Sequence, residues 1–224
     1  MTLPPLRRQS PNSLRNKEVP FVSHSTTKLR CQLSTQRPLI ITKVKERTND
    51  SALFNYLLSK YHYLGFKNTV GENLKYLVKN SSGTPLSCLL YCSAAWKTQP
   101  RDAFIGWNAE IRQKNLIYIA NNARFLIFPW VNIENLASHL LSLISKRIGS
   151  DWMIKYGHPV YLLETFVDRS RFPGTSYKAA GWNNVGQTKG RTREDRHHSI
   201  KSSIKDIYLY PLSRRFRQEL TCGH

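Results

Sequence analysis

The stretch LSCLLYCSAAWK, residues 86–97, most constrains what this chain can fold into. Its apolar side chains occur at both parities, so a strand there has no face to give to water. Such a strand belongs in the middle of a sheet that is covered on both sides. NLKYLVKN (73–80) reads as its partner, and SSGTP between them supplies the turn of a hairpin.

The flanking patterns fill in a mixed architecture. PLIITKVK (38–45) reads as a first strand. SALFNYLLSKYHYLG (51–65) reads as a helix capped by Asn49 or Asp50 and stopped at Gly65. WNAEIRQKNL is a short helix, and IYIANNARFLIFP holds one or two buried strands, with a bulge expected at Asn121 and Asn122. Pro129 ends it, and Asn132 is the expected N-cap of the clearest helix. There Ile133, Leu136, Ala137, Leu140, Leu143 and Ile144 recur at helical spacing, with Lys146 and Arg147 in the last turn. HPVYLLETFV is a strand, GTSYKAAG a short helix stopped by Gly181, and KDIYLYPL a final strand. The order predicts an α/β fold with one mixed central sheet and packed helices.

Charge divides the chain further. It carries 34 Lys and Arg against 14 Asp and Glu, a net +20 over 224 residues. That balance makes polyanions the default partner, because each neutralised phosphate releases counterions. Residues 1–37 read as a basic flexible arm, 38–212 as the folded domain and 213–224 as a basic tail. The Arg- and Ser-rich start also resembles an organellar transit peptide, but Pro4, Pro5, Pro11 and Pro20 interrupt any amphipathic helix there. No apolar run approaches the roughly 18 residues of a membrane span, so a cytoplasmic protein without membrane partners is expected. Cys31, Cys88, Cys92 and Cys222 form no CxxC pair, and Cys88 and Cys92 read as core thiols.

Two acids stand out in ETFVDRSRFPGTSYKAAGW, residues 164–182. Glu164 and Asp168 share one face of a strand entering a loop, and with Asp102 and His62 they are the candidate catalytic set. Gathered in space, they could hold a divalent metal or act as acid and base. The structural alternative pairs Glu164 with a cation such as Arg124, lets Asp168 cap its turn and gives His62 a packing or capping role. The candidate nucleic-acid contacts are Arg124 and the basic run TKGRTREDRHHSIKSSIK, with Lys189, Arg191, Arg193, Arg196, Lys201 and Lys205. The rings of YHYLGF could stack on an unpaired base, and Trp182 is expected in the core. The adjacent His197 and His198 have no metal-site spacing, and no P-loop, nucleophile elbow or zinc signature is present.

Several longer signatures are similar to one family. YHYLG, RDAFIGWN, NNARFLIFPWVNIENLASHLL, LLETFVD, GTSYKAAGWNNVGQTKGRTR and KDIYLYPL resemble, over 38–212, the DruA family of Druantia anti-phage defence systems, whose relatives also accompany transposase-like proteins. The same block resembles the acetyltransferase (GNAT) superfold, in a strand ending in Pro before a long helix and in the segment YKAAGW. That resemblance implies a GNAT-like sheet and raises acetyl-coenzyme A as a cofactor. The helix start, WVNIENLAS, departs from it, having no glycine from 130 to 138 where backbone must approach a pyrophosphate. The expectation is therefore a DNA-binding component of an anti-phage or mobile-element system, with other defence or transposition proteins as partners and no evident cofactor. A metal-dependent nucleic-acid-processing enzyme built on Glu164 and Asp168, or a small-group transferase, remains the alternative.

Overall fold

The computed structural model describes residues 19–66, 69, 71–190 and 203–222. In chain order the elements are β1 (Leu29–Cys31), β2 (Ile40–Lys43), α1 (Asn49–Tyr61), β3 (Asn73–Lys79), β4 (Pro85–Ser93), α2 (Gln99–Ile105), α3 (Ala109–Asn115) and β5 (Ile119–Ile127). They continue with β6 (Val131–Ile133), α4 (Leu136–Tyr156), β7 (Leu162–Asp168), α5 (Thr175–Ala179), β8 (Asn183–Gln187), β9 (Lys205–Pro211) and α6 (Phe216–Thr221). Seven strands form the main sheet in the order β2-β3-β4-β5-β7-β9-β8. Every neighbour in it is antiparallel except β5 and β7, which run parallel. The sheet is thus two antiparallel blocks joined at one parallel seam.

The hairpin expected from the sequence is present. β4 lies between β3 and β5 and is buried from Pro85 to Tyr91, as an all-apolar strand requires. Its turn is locked by Asn80, whose Oδ1 accepts from the Thr84 amide at 2.8 Å, and by Gly83 at φ 82°. In α1, Phe54, Leu57 and Leu58 are fully buried. The cap of α1 is Thr48 rather than Asn49 or Asp50: its Oγ1 accepts from the Ser51 amide at 3.2 Å.

Asn132 is not a helix cap. It lies in β6, which pairs in parallel with β1 so that Arg30 faces Asn132. The helix starts later, at Leu136, after Asn135 in the left-handed region. It also runs two turns past the expected end, burying Ile148 and Trp152. Asp151 extends that buried face because Tyr76 Oη donates to it at 2.9 Å and Arg147 Nε at 2.7 Å. A buried acid with its partners on β2, β3 and its own helix breaks the apolar pattern without breaking the helix.

Within the expected arm and tail, the described residues 19–37 and 213–222 pack on the fold. Val22, Leu29, Cys31 and Leu33, all within 19–37, pack on the main core, and Leu29 donates its amide to Trp130 O at 2.8 Å. At the other end α6 buries Phe216 and Leu220 in a second apolar cluster on the β9 side of the sheet. Asn115 fastens it by donating to Leu220 O and Cys222 O. No helix among the described residues is long and apolar enough to cross a membrane.

Candidate functional site

The parallel seam is short. Ile119 pairs with Leu162, Ala120 with Leu163 and Asn121 with Glu164; beyond them β5 follows β4 while β7 follows β9. A bulge in β5 contributes to the parting: Tyr91 faces Asn122 and Leu90 faces Arg124, leaving Ala123 as the extra residue. The expected bulge therefore sits one residue later than Asn121 and Asn122. Side chains replace the lost ladder. Thr165 Oγ1 donates to Asn122 O at 3.0 Å, and Tyr177 Oη donates to Asn122 Oδ1 at 2.6 Å. Burial pushes the Tyr177 hydroxyl well above the usual tyrosine range, which keeps it protonated as a donor.

Between the parted strands opens a cleft of about 910 Å³. The turn after α1, the start of α5, Thr188 just beyond β8 and Lys205 at the start of β9 close its sides. Gly174 lets α5 begin there. It adopts φ 72°, and a Cβ on it would stand 2.7 Å from Cζ of Tyr208.

The four candidate catalytic residues fall into two groups. Glu164 is completely buried, and its Oε2 accepts from Arg101 Nη1 at 2.9 Å while its Oε1 accepts from the Ala95 amide at 2.6 Å. Arg101, also completely buried, is its ion-pair partner, in place of the expected Arg124. Burial pushes the Glu164 carboxyl up, and Arg101 and the Ala95 amide oppose that shift. Arg101 Nε and Nη2 also reach Asp102 Oδ1, at 3.0 and 2.9 Å. Asp102 further accepts from Trp107 Nε1 at 3.0 Å and Arg112 Nη1 at 3.2 Å. This knot ties α2 and α3 to β7, and neither Glu164 nor Asp102 lines the cleft.

His62 and Asp168 do line it. Asp168 caps its own turn: Oδ1 accepts from the Ser170 amide at 3.0 Å and hydroxyl at 2.7 Å, and Oδ2 accepts from the Ser203 hydroxyl at 2.7 Å. Those bonds hold its carboxyl below the usual range. His62 Nδ1 accepts from the Leu64 amide at 3.2 Å, and its ring stacks on Tyr63. Burial, then the nearby Arg124 charge, lowers His62 to about 4, so the ring is neutral at pH 7. Among the described residues no three His, Cys, Asp or Glu side chains gather as a metal site would need.

The cleft is otherwise basic and aromatic. Arg124, Arg171 and Lys205 line it, with Asp168 as its acid. Arg124 holds the backbone, donating to Ala123 O at 2.8 Å and Gly65 O at 3.3 Å, and makes no ion pair among the described residues. The Arg171 guanidinium lies 4.6 Å from the Tyr63 ring centre, and Phe172 lies 5.6 Å from Tyr63. Of the other candidate contacts, Lys189 follows β8 and does not line the cleft, whereas Arg191, Arg193, Arg196 and Lys201 lie outside the described residues, as do His197 and His198. Trp182 is in the core, 3% exposed, against Tyr177 and Tyr210. Arg101 and Arg171 escaped the sequence reading. The signal for Arg101 was its place in RDAFIGW beside Asp102, in a chain where Glu164 needed a cation.

A sheet of two antiparallel blocks parted at a parallel seam defines an acetyltransferase-like (GNAT) fold. The crystal structure of spermidine/spermine N-acetyltransferase from Vibrio cholerae with manganese ions matches with a TM-score of 0.50 at 9% identity, covering 80% of this chain and 96% of that one. The enzyme from the same organism with CoA and spermine matches with 0.50 at 9%, covering 80% and 98%. Its dodecameric structure in an intermediate state gives 0.51 at 8%, covering 80% and 96%. At such identity the likeness is one of fold. The sequence family of the Druantia protein DruA matches residues 6–215, and the chain belongs to that family. Membership supports a role in an anti-phage system, and the match takes in the N-terminal segment that the shorter resemblance left out. No curated protein sequence matches the chain.

Proposed function

We propose that this chain is the DNA-contacting component of its anti-phage system, and that the cleft between β5 and β7 is where it holds the strand. One observation carries the reading: in a chain of net charge +20, Arg124, Arg171 and Lys205 converge on one concave, ring-lined site in which Asp168 is the acid. Asp168 is itself engaged by Ser170 and Ser203, which leaves the cleft a positive surface for phosphate. Glu164, the acid that a metal-dependent enzyme would use, is occupied by Arg101 behind the cleft wall.

Acetyl-coenzyme A is not part of the proposal. In this fold a pyrophosphate would lie at the start of the helix after β5. That connection here is β6, paired with β1, with Trp130, Val131 and Ile133 buried and an Asn135 turn before α4. These bulky, strand-paired residues do not fit a group that needs close approach to free backbone amides.

The test is fluorescence anisotropy with labelled DNA over a salt series. Affinity should fall linearly in log-log form as salt rises, and Arg124→Ala and Lys205→Ala should each flatten the slope by roughly one unit. Binding that ignores salt, or none at low salt, would discard the proposal. A thermal shift on adding acetyl-coenzyme A would instead favour the transferase reading.

A further inference from the structure

We infer that the cleft takes an unpaired nucleotide of a DNA strand, its base on the ring platform at the mouth and its phosphates on Arg124, Arg171 and Lys205. This rests on the DNA-contacting role proposed above and decides the form of the DNA.

The first argument is shape. The walls start as hydrogen-bonded strands at Asn121 and Glu164, about 4.8 Å apart, and part over Thr165 to Asp168, a run of roughly 10 Å. A wedge of that length admits a nucleotide or two, whereas a duplex would meet only its rim. Its volume of about 910 Å³ falls among sites that enclose small organic groups, roughly 300–1,000 Å³.

The second argument is the platform. His62 stacks on Tyr63 with ring centres 4.9 Å apart and planes 27° from parallel. The Arg171 guanidinium lies against Tyr63, and Phe172 extends the group outward. Phe172 is 46% exposed and Tyr63 39%. One half-exposed Phe is ordinary on a protein surface. Two exposed rings with a stacked guanidinium, set at the mouth of a basic cleft, form the surface on which an unpaired base stacks without regard to its identity. A duplex hides those faces, so its phosphates could use the charges but not the rings.

The experiment uses the full chain at 50 mM salt with labelled single-stranded DNA, the matching duplex and a single strand of abasic sites, with deoxynucleoside monophosphate as competitor. The single strand should bind at least tenfold more tightly than either the duplex or the abasic strand. Phe172→Ala and Tyr63→Ala should each reduce single-strand affinity about tenfold. Phe21→Ala, an exposed ring that does not line the cleft, is the control and should change nothing. Circular dichroism checks folding, and Phe172→Trp, which restores a stacking face, should recover binding. Equal affinity for single strand, duplex and abasic strand would overturn the inference while leaving DNA contact standing. Binding to none of them removes both. Competition by the monophosphate at concentrations near its own binding, with no gain from strand length, would mean a free-nucleotide site and would also overturn it.

Discussion

The two ends of β7 each carry an acid, and the two acids serve opposite environments. Glu164, at the paired end, is closed in by Arg101, the Ala95 amide and, through Arg101, by Asp102. Asp168, at the parted end, borders the cleft and is held by two serine hydroxyls. One end uses charge to fasten the α2–α3 layer to the sheet; the other leaves an open basic surface. A pair of carboxylates on one strand face is therefore no proof of a shared site. What decides is whether the neighbouring strand stays paired: the paired end closes Glu164 in with Arg101, whereas the parted end places Asp168 on the cleft wall, shielded by its own turn.

Breaking the closed end should cost most. Glu164→Gln leaves the Arg101 guanidinium buried with less compensation and should destabilise the fold by about 3 kcal/mol in denaturant titration, with DNA affinity of the folded protein unchanged. A loss of DNA binding in the folded variant would bring Glu164 back into the site. At the open end, Gly174→Ala puts a Cβ into the Tyr208 ring at a left-handed φ and should cost about 2–3 kcal/mol, read as a lower Tm.

The pH dependence sharpens the contrast. Burial, then the Arg124 charge, holds the His62 ring neutral with a folded value near 4, below the ordinary 6.5. The unfolded chain therefore binds more protons between those values, and stability should fall as pH drops from about 6.5 to 4. Screening at the cleft reduces the effect to about 1–2 kcal/mol. His62→Gln should flatten that part of a Tm-against-pH curve. Asp168, with its folded value depressed, should add a loss only at more acidic pH, as its carboxylate is protonated. The smallest effect is expected from Arg124→Ala, about a fivefold loss of DNA affinity with little change in Tm.

Much of the framework was legible locally. The apolar β4 had to be central, and SSGTP had to turn. GTSYKAAG had to be a short helix, since its glycines and rings carry their conformational demands with them. The helix α2 was also written in the chain, with Pro100 in its first turn and Gly106 at φ 89° as its stop. Asn132 misled because an N-cap and a strand residue look alike until β1, a hundred residues earlier, supplies a ladder. The bulge was found to within one residue, but not what it does, since parting is a property of two strands.

The sequence by itself determined the mixed α/β class, the central hairpin, the family likeness and the excess of positive charge. These depend on side-chain identity and short-range spacing. Only the tertiary structure decided that Glu164 belongs to Arg101, that the segment 19–37 packs on the fold, and that Arg124, Arg171 and Lys205 share one cleft. The physical reason is that an ion pair across 63 residues, a parallel ladder and a splayed seam are set by which distant segments meet, and no local pattern carries that information.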